Sequence, residues 1–193
     1  MIEIFGDFID NLPSSQEYLI IGFSPSSASL KQRWRNNGLS ADFLADYLST
    51  FFPRSDEENA ALEKQEEIRG AVSYIANELL ENAMKYNYEC SSLPISIQLH
   101  LHGDKIVFEM TNNVDPVTLE YFQSYLKSIV DSDPEEMYIN QLEKNAMNLD
   151  SQGSGLGFLT IMNDYGARLG WKFKYSESVP KDISLTTMVQ LDI

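Results

Sequence analysis

The chain's 193 residues carry 29 acidic side chains against 14 lysines and arginines, a formal net charge of −15. A surface of that sign repels phosphate backbones and anionic bilayers, which excludes general nucleic-acid binding and membrane docking as expectations. With 43% hydrophobic residues the length suits one domain with a proper core and room for a small extension.

The start, Met1 to Asp7, is acidic and interrupted, without the basic stretch and apolar core of a signal peptide. No apolar run reaches the length of a membrane span, so a cytoplasmic protein is the expectation. Residues 2–9 and 18–23 are apolar and β-prone. The turn-like Asn11-Leu12-Pro13-Ser14-Ser15 between them predicts a β-hairpin. Ser24-Pro25-Ser26-Ser27 can start a short helix and Asn36-Asn37-Gly38 can stop it. Three of the chain's bases, Lys31, Arg33 and Arg35, fall there around Trp34. They read either as a solvated helix face with local ion pairs or as a docking patch for an acidic partner or a neighbouring subunit.

Ser40 caps a predicted helix running to about Phe52, with Phe43, Leu44, Tyr47, Leu48 and Phe51 at helical spacing. From Asp56 to Asn87 there is no proline. A long helix is predicted, with acids early, as a helix N-terminus favours, and with Gly70 marking a bend or break. Cys90 to Pro94 reads as a loop. Cys90 is the one cysteine, which rules out an intrachain disulfide and a cysteine-based metal site, and it reads as a small filler. Residues 95–102 and 105–111 alternate apolar and polar around His102-Gly103-Asp104-Lys105, a strong hairpin signal. His100 and His102 share a strand face, but no third metal ligand is evident. Pro116 to Val130 predicts a helix, and residues 131–152 a polar segment with a short helix around Glu135 to Met147. A helix over 156–165 and strands over 171–176 and 184–192 complete the chain.

Two stretches carry chemistry. In Glu78-Leu79-Leu80-Glu81-Asn82-Ala83-Met84-Lys85-Tyr86-Asn87, the residues Glu78, Asn82 and Lys85 fall at i, i+4 and i+7 on one helical stripe. Leu79, Ala83 and Tyr86 form an apolar stripe beside it. A carboxylate and an amide suit a hydrated magnesium ion, and an ammonium suits phosphate. An ordinary amphipathic helix with a solvated polar face has the same spacing. The second stretch, Gly153-Ser154-Gly155-Leu156-Gly157-Phe158-Leu159-Thr160-Ile161, places three glycines directly before an apolar helix. Glycines let backbone approach phosphate closely, and a helix N-terminus offers free N–H groups. A glycine-rich hinge is the plainer reading. A dinucleotide-binding fingerprint fits poorly, because no hydrophobic strand runs into these glycines.

Together the two stretches resemble the GHKL ATPase superfamily, or Bergerat fold, over residues 68–193. Glu78 to Tyr86 is similar to its asparagine box, and Gly153 to Gly157 to its second glycine box. The closest likeness is to stand-alone anti-sigma-factor-type serine/threonine kinases. The resemblance implies a two-layer α/β sandwich, its mixed, mostly antiparallel sheet covered by helices on one face. Residues 56–193 would be an ATP-binding domain, and residues 1–55 would extend the sheet or form a dimer or partner surface, all in one compact unit. It also implies ATP and Mg2+ as ligands. Asn82 would hold the metal ion, Glu78 would act as or position the general base, and Lys85 would contact phosphate. Gly153, Gly155, Leu156 and Gly157 would wrap the phosphates beneath a lid over residues 131–152. Thr186, with Thr187 beside it, sits where the family often has a threonine. Asn112 takes the place of the adenine-reading aspartate in a first glycine box whose glycines are replaced by Val114 and Pro116.

Three activities follow. One is a kinase of the partner-switching type, phosphorylating a small regulatory protein similar to an anti-anti-sigma factor. Another is a catalytically degenerate module acting as a nucleotide-sensing scaffold. The third is a fragment of a histidine kinase or a larger ATPase. It is disfavoured because both histidines lie in a predicted strand rather than on a dimerisation helix.

Overall fold

A computed structural model describes residues 1–23, 37–52, 59–88, 91, 93–147, 155–177 and 182–193. The predicted short helix with its basic residues Lys31, Arg33 and Arg35, together with Cys90 and Gly153, lies outside the described residues.

Alternating sequence produces the centre of the sheet. β3 (Ile95–Leu101) and β4 (Lys105–Asn113) pair antiparallel, with Ile97 opposite Met110 and Leu99 opposite Phe108. The turn between them is closed by His102 N–H to Lys105 O at 2.9 Å, so the predicted hairpin is present. β5 (Arg168–Tyr175) and β6 (Ile183–Asp192) form a second antiparallel pair, and β6 joins β4. β1 (Ile2–Gly6) and β2 (Glu17–Phe23) complete one six-stranded sheet in the order β1-β5-β6-β4-β3-β2, with every pairing antiparallel.

The hairpin expected of β1 and β2 does not form. Both strands exist, but they lie at opposite edges of the sheet. Each side of the β5-β6-β4-β3 block has a free edge, and one N-terminal strand pairs with each. The ten residues 7–16 therefore cross the sheet face away from the helices. Asp7 N–H bonds Leu169 O, Ile9 N–H reaches Met188 Sδ, Asp10 pairs with Lys172, and Ser15 Oγ donates to Leu101 O. Gly170 makes the crossing close: a Cβ there would strike the backbone of Asp7 and Phe8.

The other face carries the described helices, α1 (Asn37–Ser49), α2 (Asn59–Tyr86), α3 (Leu119–Asp131), α4 (Pro134–Met147) and α5 (Gly157–Tyr165). The result is a two-layer α/β sandwich. α2 runs unbroken through Gly70, over about 42 Å at 1.5 Å per residue. Its Ile68, Val72, Ile75, Leu79 and Ala83 recur at three to four residues and are buried in the core. α1 lays Ala41, Leu44, Ala45 and Leu48 on α2, where the alanines let the two helices approach closely. Arg69 to Asp46 at 2.7 Å and Ser73 to Asp42 at 2.8 Å tie the pair at its rim.

The helix expected from Ser40 begins instead at Asn37. Of the expected apolar stripe, Leu44 and Leu48 are buried in the core, and the aromatic residues are not. Phe43, Tyr47 and Phe51 form an outer ladder of rings 6.4 and 5.3 Å apart, while the smaller residues face inward. Tyr86, expected beside Leu79 and Ala83, is 59% exposed. It ends α2 beyond the last core turn, with the Lys85 ammonium 5.1 Å from its ring. No helix among the described residues is long and apolar enough to cross a membrane.

Candidate functional site

Two distant parts of the chain meet where α2 passes the start of α5. Burial of Leu79, Leu80 and Ala83 turns the opposite stripe of α2 outward, away from the core. Glu78 and Asn82 on that stripe are half-buried, and Lys85 is exposed. α5 is fixed by buried Leu159 and Ile161 and by Phe158 meeting Trp171 edge-on at 5.6 Å. Tyr74 of α2 packs on Tyr165 of α5 at 5.3 Å and shares a hydrogen bond with Thr160. These contacts hold Gly157 against the Glu78 side chain so closely that a Cβ on Gly157 would overlap the carboxylate. Burial pushes the Glu78 carboxyl above the usual range, and the neighbouring Glu81 charge adds to the effect.

Gly155 adopts φ +64°, a left-handed conformation that favours glycine. Its missing side chain faces Gln141 of α4, whose amide nitrogen is 3.1 Å from the Cβ position. Tyr125 Oη of α3 donates to Gly155 O at 3.4 Å. Burial raises the Tyr125 hydroxyl's pKa, with smaller contributions from Tyr86 and Tyr121. Leu156 precedes α5 without a side-chain cap, and its carbonyl accepts from Thr160 N–H at 2.7 Å. The N-terminus of α5 thus lies beside the Glu78 side chain, and helix N-termini are places where anions are held. α4, within the segment expected to be a lid, is fastened to α5 by Asn163 Nδ2 donating to Pro134 O at 3.1 Å.

The remaining expected residues divide. Asn112 is buried and pairs in register with Leu185, so it lies on the helix-covered face of β4. Its Nδ2 donates to Asn113 O at 3.3 Å. The neighbouring Asn113 is the structural residue: its N–H bonds Asn87 Oδ1, its Nδ2 bonds Leu93 O, and its carbonyl accepts from Tyr88 N–H. That set ties the end of α2 to β4. Thr186 does not join the site. Strand alternation turns it to the opposite face, where its hydroxyl meets that of Thr111 at 3.0 Å. Of the two threonines, buried Thr187 is the one on the helical side. Tyr125 and Gln141, which touch the glycine segment, had no motif to mark them. Only their places in predicted helical stretches were visible.

The oxygen donors of Glu78 and Asn82, one helical turn apart, suit magnesium, which takes one or two protein oxygens and completes its shell with water and phosphate. Among the described residues, no three His, Cys, Asp or Glu side chains gather as a metal cage. Two concavities of the described residues lie elsewhere. One is between β2 and α1, and the other is beneath the 7–16 crossing. Comparison with protein-family models and with curated proteins returns no match.

Proposed function

We propose that this chain is a cytoplasmic, Mg-ATP-binding regulatory protein of the GHKL kind, acting as a serine/threonine kinase on a small partner protein. The observation that carries the reading is the contact between Glu78 and Gly157, which joins the two resembling motifs across the helical face of one sheet. In this reading Asn82 would hold the metal ion, which would supply positive charge to offset that of the phosphates. The α5 N-terminus and Gly155 to Gly157 receive the phosphate oxygens. Lys85 approaches them from the exposed end of the stripe. The partner's hydroxyl attacks the terminal phosphorus, its proton passes to the Glu78 carboxylate, and ADP leaves. Burial of Glu78 supports that role, because a raised pKa brings a carboxylate closer to the range in which it accepts and returns a proton. Asn112 on the inner face of β4 reads the base, with Thr187 nearby.

The test is calorimetric titration of Mg-ATP into the wild type and Asn82→Ala. A heat of binding that the substitution abolishes is expected, whereas equal heats in both would remove Asn82 from the site. Incubation with labelled ATP and a candidate partner then tests transfer.

A second reading, a nucleotide-sensing scaffold without transfer, is favoured by one observation. Asn113 stands in the first glycine box, 1% exposed, with its backbone and side chain committed to Asn87, Tyr88 and Leu93. Backbone held in this way is less free to approach a nucleotide. Binding without label transfer to any partner selects this reading.

A further inference from the structure

The crossing of residues 7–16 over the far face of the sheet leaves a cleft of about 270 Å³ beneath its second half. That is just below the usual range for ligand sites, about 300–1,000 Å³. Leu12 and Pro13 of the crossing and Ile20 of β2 supply apolar wall. Tyr18 stacks on His100 across the β2–β3 pair, with ring centroids 6.0 Å apart and planes 24° apart. Glu109 enters from β4, and its Oε2 stands 3.9 Å from His100 Nε2. That nitrogen is buried and meets no hydrogen-bond partner among the described residues.

We propose that this cleft binds a small organic cation, an amine with an apolar body. Its charge would lie against the Glu109 carboxylate, and its body against Leu12, Pro13 and Ile20.

Three features favour a cation over an anion or a neutral ligand. Glu109 is the only carboxylate in the lining, and no lysine or arginine accompanies it. His100 is held neutral, since burial lowers its pKa more than Glu109 raises it. Its ring and that of Tyr18 add an aromatic wall, which attracts a cation over its face.

Benzylamine and its neutral counterpart benzyl alcohol are the probes. The chain has two histidines, so the imidazole resonances of His100 can be assigned with a His102→Gln variant. Benzylamine is expected to shift them saturably, and benzyl alcohol to bind about tenfold more weakly or worse. Glu109→Gln should weaken benzylamine by a similar factor. Ile20→Lys changes an exposed residue of an edge strand and sets a resident ammonium at the cleft. It should abolish amine binding while the thermal melt stays in place. Equal binding of the two probes, an undiminished shift in Ile20→Lys, or no saturable shift at all overturns the proposal. Mg-ATP plays no part in the readout, so this site and the α2–α5 site stand or fall separately.

Discussion

The carboxylate of Glu78 occupies the space that a side chain on Gly157 would need, although 79 positions separate the two in the chain. The absent side chain of Gly157 leaves the room that Glu78 fills. Gly157→Ala should therefore cost stability by forcing Glu78 aside. The obstructing atoms are the end of a flexible side chain, so the expected loss is about 1 kcal/mol, or about 2–4 °C in Tm. In a double-mutant cycle with Glu78→Ala, the combined loss should fall short of the sum by about 0.5–1 kcal/mol. Simple additivity would mean that the contact does not exist in solution.

Glu78 also makes stability depend on pH. Its folded pKa is raised by burial, so the native state holds its proton to higher pH than the unfolded chain does. Stability from this group is present below the unfolded carboxylate range and is lost as pH rises through the folded value. Glu78→Gln, which cannot ionise, should raise Tm at pH 8, and the gain should vanish as pH falls below the usual carboxylate range. Melts of both proteins across that range supply the check. A gain that grows toward acid pH would reverse the sign.

The two strand glycines Gly170 and Gly22 should respond in opposite ways. A Cβ at Gly170 meets the backbone of Asp7 and Phe8, whereas one at Gly22 meets nothing within 4 Å. Gly170→Ala should cost about 2 kcal/mol and lift residues 7–8 from the sheet. Gly22→Ala should be neutral or stabilise by about 0.5 kcal/mol, through reduced freedom of the unfolded chain. Denaturant unfolding of the pair tests whether the crossing is laid down as described.

Asn112 and Asn113 are adjacent and chemically identical, yet they should separate by assay. Asn113→Ala removes the bond to Leu93 O and leaves that carbonyl without its partner. It is expected to cost about 1–3 kcal/mol of stability. Among the described residues Asn112 donates only to the neighbouring carbonyl, so Asn112→Ala should leave the melt nearly unchanged. Under the proposed function it should instead narrow the preference for ATP over GTP. The reverse pattern would exchange their roles.

The strands and helices were largely legible, and the reason differs by element. β3 and β4 alternate with period two around a turn sequence, and their pairing is local, so pattern alone specified the hairpin. β1 and β2 carried the same kind of signal, but a short connection between two strands does not say whether they pair with each other. The four later strands offered two free edges, and the choice was made there. On α1, the large aromatics drew attention by size, yet close packing on α2 selected Ala41 and Ala45 for the interface. Thr186 and Thr187 could not be told apart until register fixed which one faced the helices.

The sequence by itself determined the polar stripe of Glu78, Asn82 and Lys85, because helical period follows from residue spacing. It also determined the glycine opening of α5, because missing side chains are visible in the text of the chain. Only the tertiary structure decided that Glu78 rests on Gly157, that Tyr125 and Gln141 close around Gly155, and that His100 and Glu109 share a cleft on the far side. Those relationships join residues on elements that no local pattern links. They arise when burial of the apolar faces brings the helices and the sheet into one packing arrangement.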